Sequence, residues 1–227
     1  MHRLFARRLL AQRHAVAAAT LAAIGGAAHA QDTGQLQTIT VTAERRTENV
    51  QQVPNSVSVL PSELLDVLNT SGQDVRMLSG RVPSLNIESS FGRAFPRFYI
   101  RGYGNTDFRL NASQPVSLVY DDVVQENPIL KGFPAFDLAR VEVLRGPQGS
   151  LFGRNTPAGV VKFESNRPVK GKFEGYGSVS AGTFSRVNLE GAIDLPTSSD
   201  SALRVSLMNQ TRSDWVENTF ERGPTQD

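Results

Sequence analysis

The stretch that most constrains this chain is Val141 to Ser165, VEVLRGPQGSLFGRNTPAGVVKFES. Val141, Val143 and Leu144 open an apolar run, with Glu142 on the opposite face of a strand. Arg145-Gly146-Pro147-Gln148-Gly149 stops that strand, because proline offers no N–H to a ladder and glycine admits positive φ. Leu151 and Phe152 are too few to form an element and read as a plug for a hole between two turns. Gly153 and Asn155 to Gly159 turn the chain again before Val160, Val161 and Phe163 return it to strand. Glycines at 146, 149, 153 and 159 in so apolar a stretch predict backbone packed closely against a neighbour. On these grounds alone it fits a buried strand–loop–strand in any globular sheet. A phosphate-cradling loop does not fit, since no Gly-Lys-Ser/Thr follows the glycines.

The same residues resemble the signature of the plug domain of TonB-dependent outer-membrane receptors. There a VEVLRGP strand is followed by a glycine-rich, GRN-containing turn and a second strand. The resemblance implies an α+β plug, a small mixed sheet with flanking helices, folded inside an antiparallel transmembrane barrel of about 22 strands. The rest of the chain tests it.

Charge narrows the function classes once the chain is divided. The net +2 and pI near 9.1 come from the first 30 residues, where Arg3, Arg7, Arg8 and Arg13 stand without an acid. Beyond them the balance is −2, so no nucleic-acid partner is expected. His2, His14 and His29 also lie there, and cysteine is absent. Residues 31–227 therefore hold no thiol and no imidazole, which removes Cys/His zinc sites, Ser-His-Asp triads and Cys-His pairs. No enzyme, metal or cofactor is expected.

Residues 1–30 read as a cleavable signal peptide. Met1 to His14 is basic, Ala15 to Ala28 apolar, and Ala28-His29-Ala30 a small-x-small cleavage site. The apolar run is too short for a spanning helix of roughly 20 residues. Arg7-Arg8 leaves the general and twin-arginine export routes both open. Residues 31–56 read as a periplasmic tether. Gln31 to Gln37 is polar and without period, whereas Thr38 to Ala43 is β-branched at five of six positions. One short strand is not stable alone, so it is either an edge strand of the following domain or a strand awaiting a partner sheet, as in β-augmentation. Ile39, Thr40, Val41, Thr42 and Ala43 resemble the TonB box, the segment such receptors offer to the periplasmic part of TonB. Glu48 to Asn55 reads as a flexible lead-in closed by Pro54.

Residues 57–170 read as the plug. A strand is predicted at Val57 to Leu60, then a helix capped by Ser62 with Leu64, Leu65 and Leu68 on one stripe. Asp74 is predicted to cap a second helix through Leu78. Strands follow at Leu85 to Ile87 and Phe98 to Arg101, then a hairpin from Val116–Tyr120 to Val123–Val124 and a helical turn over Phe136 to Ala139. Asp121-Asp122 could be a catalytic carboxylate pair, but adjacent strand residues point to opposite faces, so they read as turn formers. Ile100-Arg101-Gly102 and Tyr120 to Val123 also resemble plug segments. The resemblance implies that Arg101 and Arg145 face acidic groups on the barrel wall, where a buried arginine needs a partner; solvated strand-end arginines are the alternative. It also implies that apical loops line the floor of the ligand pocket, which nominates Phe91, Arg93, Phe95, Arg97, Asn105, Phe108 and Arg109. Such aromatic–arginine loops equally suit packing on a barrel wall.

Residues 171–227 read as the first barrel strands. Val187, Leu189, Gly191, Ile193 and Leu195 alternate with Asn188, Glu190, Ala192 and Asp194, and Leu203, Val205 and Leu207 alternate with Arg204 and Ser206. That is the period of outer-membrane strands, apolar to lipid and polar to lumen, with Trp215 suited to an interfacial girdle. A soluble antiparallel sheet alternates in the same way. At roughly 9–11 residues per spanning strand, the 57 residues after Lys170 suffice for about three. Three strands leave open edges that cannot sit in lipid, so the reading is the N-terminal part of a longer receptor.

The expected function is energised uptake of a scarce extracellular small molecule, such as an iron–siderophore chelate, across the bacterial outer membrane. The expected partners are TonB, that solute and outer-membrane lipid. The alternative is an exported plug-like binding module, or a truncated product that does not transport.

Overall fold

The computed structural model describes residues 39–42, 45–69, 74–107, 109 and 111–213. The readings at Ala43, Phe108 and Trp215 and the signal peptide lie outside those residues.

Its centre is a five-stranded mixed sheet in the order β3-β8-β9-β6-β7. The strands are β3 (Ser56–Pro61), β6 (Val116–Tyr120), β7 (Val123–Gln125), β8 (Leu138–Arg145) and β9 (Gly159–Ser165). The pair β6–β9 is parallel and the other neighbours are antiparallel. Each strand separates its side chains by parity. Leu60, Leu118, Val141, Val143, Val161 and Phe163 enter the larger core. That core is closed by helix α1 (Ser62–Asn69), a 3₁₀ turn at Val75–Leu78 and the ribbon β4 (Leu85–Glu88)–β5 (Arg97–Ile100). Phe133 stacks edge-on against both Tyr120 and Phe163, with centroids 4.9 Å apart in each pair. The opposite parity carries Val119, Leu144 and Val160 into a second, smaller core with Val41, Val53 and Phe152.

The expected hairpin forms, with Asp121 and Asp122 at φ 45° and 67° in its two-residue turn. Asp121 also accepts hydrogen bonds from the backbone N–H and the hydroxyl of Ser165, so the pair is a turn and a brace. Asp74 caps its turn as expected, accepting the Arg76 N–H at 2.9 Å, but the element is 3₁₀ and not a full helix. Ser62 lies inside α1 instead of capping it.

Three expectations are corrected. Phe136 to Ala139 is no helical turn: Asp137 adopts φ 53° and Leu138 already begins β8. The 3₁₀ turn falls earlier, at Pro128–Gly132, with Asn127 capping it. Glu48 to Asn55 is no flexible lead-in. Glu48–Asn49 forms β2, Asn49 caps a 3₁₀ turn at Val50–Gln52, and Val53 is buried. Finally, Leu151 and Phe152 do belong to an element, the single turn α2 (Gly149–Phe152), and Phe152 fills the smaller core.

The close packing expected of the glycines is concrete at Gly159. It sits at φ 149°, and a Cβ there would meet Leu144 O at 2.2 Å and Ile100 Cδ1 at 2.8 Å. The backbone it touches belongs to β8, its neighbour in the same sheet.

After β9 comes a separate antiparallel sheet, β10 (Glu174–Gly182), β11 (Arg186–Pro196) and β12 (Ala202–Thr211). The predicted alternation holds. Leu189, Ile193, Val205 and Leu207 point one way, and Asn188, Glu190, Asp194, Arg204 and Ser206 the other. The polar face is turned to the five-stranded domain, where Arg204 meets Asp137. The apolar face is open, with Val179 and Leu207 each 74% exposed.

Candidate functional site

Thr40–Val41 forms strand β1 and pairs antiparallel with β2, Thr40 opposite Asn49 and Val41 opposite Glu48. The ribbon does not join the main sheet; it lies over the smaller core. Val41 is fully buried there, worth about 1.5–3 kcal/mol for a valine side chain. Arg45 lies over the Phe152 ring at 5.4 Å and donates its N–H to Thr42 O, which pins the turn after β1.

Thr42 enters a cradle of charged side chains on β8 and β9. Its N–H donates to Glu142 Oε1 at 2.8 Å, and its hydroxyl lies 3.0 Å from Glu164 Oε1. Thr42 Oγ1 accepts from Lys162 Nζ at 2.9 Å and Arg140 Nη2 at 3.0 Å. Lys162 also reaches Thr42 O at 3.3 Å. Four ionic groups thus converge on one residue. Glu142 and Lys162 are buried to within 1% exposure, so neither is solvated by bulk water. They are compensated by ion pairs: Arg140–Glu142 at 2.6 Å, Lys162–Glu164 at 2.6 Å and Lys162–Asp122 at 3.0 Å. A compensated cluster of this kind is costly to disturb by halves, since leaving one buried charge without its partner costs about 3–5 kcal/mol.

Alternation in VEV and VKFE put Glu142, Lys162 and Glu164 on one strand face. It did not show that this face is covered, and by a segment about a hundred residues earlier. The available signal was charge complementarity between adjacent strands, with glutamate opposite lysine in register.

Arg145 ends β8 and Arg101 follows β5. Arg145 donates to Pro83 O at 3.1 Å, to Ser56 Oγ at 3.1 Å and to Ser58 Oγ at 2.5 Å, all within the same domain. Burial and the nearby Arg101 push Arg145 down from its usual value. Arg101 is exposed at φ 54°. Among the described residues no carboxylate pairs with either arginine.

The described residues of the nominated ligand loops fall in two groups, one at each end of the β4–β5 ribbon. Phe91 and Phe95 stack edge-on at 5.9 Å at the tip of the β4–β5 ribbon, and Arg93 there donates to Gln210 Oε1 of β12 at 3.2 Å. Arg97 is bound to Glu88 at 3.3 Å and to Ser90. Asn105 lies past the other end of the ribbon, in a cavity of about 200 Å³ with Tyr103, Gln114, Arg154 and Asn155. Its side chain donates to Ser113 O and accepts the Asp107 N–H, while Asp107 holds Arg109 at 2.9 Å.

Residues 49–160 match the family described as the TonB-dependent receptor plug domain. The chain belongs to the TonB-dependent receptors. Among curated relatives it is 29% identical over 161 residues to the pesticin receptor of Yersinia pestis, covering 69% of this chain and 23% of that protein. It is 30% identical over 153 residues to the vitamin B12 transporter BtuB of Vibrio vulnificus, covering 65% of this chain and 23% of that protein. Among solved structures it resembles the ferric yersiniabactin uptake receptor FyuA from Yersinia pestis, with TM-score 0.60 and 24% identity over 69% of this chain and 24% of that one. It also resembles the pyoverdine outer membrane receptor FpvA from Pseudomonas aeruginosa, with TM-score 0.61 and 19% identity over 82% of this chain and 26% of that one. The chain therefore spans about a quarter of the length of these receptors. Its plug is the mixed sheet with few helices, and its barrel is not closed. The plug match begins at Asn49, so β1 precedes the matched segment.

Proposed function

We propose that the chain is the signal peptide, TonB box, plug and first wall strands of an outer-membrane receptor that takes up a scarce extracellular solute. The divisions are 1–30, 31–56, 57–170 and 171–227. An iron–siderophore chelate is the favoured cargo class, supported by relatives whose names concern ferric yersiniabactin and pyoverdine. A vitamin is the second, supported by the B12 transporter. TonB pairs with Ile39–Ala43 by strand addition, main chain to main chain. The plug closes the pore until that segment is drawn away, and acidic groups of the wall face Arg101 and Arg145. Asn105 and Arg109 lie at a loop end suited to meet solute; Phe91, Arg93, Phe95 and Arg97 are also assigned to that floor, though Arg93 touches the wall.

The observation that carries this reading is the state of β1. A strand-forming segment is tied in cis to two residues of β2, to the smaller core through Val41 and to one cradle, so it is held yet separable. Strand addition by TonB requires β1 to leave β2 and Thr42 to leave the cradle. The test is Val41→Pro in the receptor: proline removes a ladder donor, so energised uptake is lost while solute binding stays. Uptake at the parent rate contradicts the reading. An exported binding module is the alternative, and reading the gene past codon 227 separates the two, since several hundred further codons of alternating strands are expected of a receptor.

A further inference from the structure

The described ion pair between plug and wall has the opposite polarity to the one expected of Arg101 and Arg145. The carboxylate belongs to the plug and the guanidinium to the wall. Arg204 Nε and Nη2 donate to Asp137 Oδ2 at 2.8 Å and Oδ1 at 2.6 Å, a two-pronged contact. Its remaining terminal nitrogen, Nη1, donates to Asp194 Oδ2 of β11 at 2.8 Å. Ser206 and Asn166 complete the shell of Asp137. The seam is enclosed: Asp194 is 1% exposed, and the side chains of Asp137 and Arg204 are 8% and 13% exposed.

Beside this fork lies a polar cleft of about 360 Å³ between α1 and the three-stranded sheet. Asp66 and Glu174 line it with Asp194, and Glu190 faces the same way on β11. Arg167 also lines it but is exposed. Asp194 Oδ1 is buried without a hydrogen-bond partner. Among the described residues lining the cleft, Arg204 is the enclosed cation, at a surface where acids come from both sides, Asp66 and Asp137 from the plug, Glu190 and Asp194 from the wall. Without it the enclosed Asp137 and Asp194 face each other with little screening, while the exposed Asp66 and half-buried Glu190 add charge of the same sign at the rim.

We propose that Arg204 is the positioning residue that seats the plug on the barrel wall, its fork fixing β8 at Asp137 and neutralising an otherwise acidic seam. This rests on reading β10–β12 as wall. A lysine does not replace it, because an ammonium is a point charge and cannot hold the two carboxylates in one planar fork.

The chain has no native cysteine, so a single Ala192→Cys reports on the seam. Ala192 is 5% exposed and stands between Glu190 and Asp194 on the inward face of β11. A hydrophilic maleimide is applied to the full chain in whichever membrane or soluble fraction holds it folded. Slow labelling is expected in the parent and labelling at least about tenfold faster with Arg204→Met, from the loss of a buried partner. Adding Asp137→Asn and Asp194→Asn to Arg204→Met is expected to restore slow labelling, which loss of packing alone would not allow. If the methionine variant does not accumulate, Arg204→Lys serves, with labelling about threefold faster than the parent or more. Parent-like labelling of the single variant, or a neutralised triple variant as open as Arg204→Met, overturns the proposal. The assay needs neither TonB nor solute. Fractionation of the same samples speaks to the receptor reading alone.

Discussion

The Thr42 N–H donates to Glu142 Oε1 at 2.8 Å, across a hundred residues of sequence. Together with the burial of Val41 and the pairing with β2, this bond attaches the Thr40–Thr42 segment to β8, the strand beside the centre of the five-stranded sheet. Thr42 shares its hydroxyl among Glu142, Glu164, Lys162 and Arg140, so one side chain holds four charged groups in register. Thr42→Val keeps the shape and the backbone bond and removes those hydroxyl contacts. A hydrogen bond to a charged group contributes about 1.5–3 kcal/mol. Amide exchange at Thr40 and Val41 should accelerate about tenfold or more, with β8 and β9 unchanged; exchange at the parent rate would show that the hydroxyl carries no load.

Val41 separates packing from pairing. Val41→Ala gives up roughly 1–2 kcal/mol of burial in the smaller core and leaves every backbone donor in place. It should release β1 more readily and sustain energised uptake at or above the parent rate. Val41→Pro, which also disturbs the pairing with Glu48, should abolish uptake. The two variants measured side by side in a transport assay distinguish release from capture.

Gly159 bears on plug stability and not on transport as such. Alanine there must sit at φ 149° and drive its Cβ to 2.2 Å from Leu144 O, between the two strands that hold the cradle. A loss of about 2–4 kcal/mol is expected, read as a lower urea midpoint for protease resistance of the plug. Gly177→Ala on β10, where a Cβ meets nothing within 4 Å, is the matched control and should be near neutral.

Much of this was legible in the residues, and the boundary has a physical origin. Periodicity two located β8, β9 and the β11–β12 pair, and the Asp121-Asp122 turn joined the strands it was expected to join. Periodicity assigns a face but not its cover. Glu142, Lys162 and Glu164 look like a solvated face until β1 is placed over them, and Arg204 looks lumenal until Asp137 meets it from 67 residues away. Strand β10 went unread because Gly175, Gly177, Ser178 and Ser180 give little hydropathy contrast. The helix expected near Ala139 failed on one residue, since Asp137 takes a left-handed conformation to reach the wall.

Lys131 gives the plug a pH signature. It is 3% exposed, it donates to Val116 O at 3.4 Å, and burial pushes its pKa down to about 8. Between about pH 8 and the ordinary lysine value near 10.4, the unfolded chain keeps a proton that the folded plug has released. Stability should therefore rise with pH across that window, and below it the folded state carries the full cost of the buried charge. Lys131→Met should flatten the rise and stabilise the plug at neutral pH by a few kcal/mol, about 1.4 kcal/mol per pKa unit, in urea titrations at several pH values.

On the proposed function, Thr42 must leave its cradle before solute enters. In the otherwise cysteine-free chain, Thr42→Cys and Glu164→Cys put two thiols on side chains that touch in the parent at 3.0 Å. A short disulfide-cleavable bifunctional reagent then locks β1 to β9, and uptake of a labelled iron chelate that supports growth is followed before locking, after locking and after reduction. Uptake should be lost on locking and regained on reduction, with chelate binding unchanged throughout. Uptake continuing at the unlocked rate while the link is intact would contradict it.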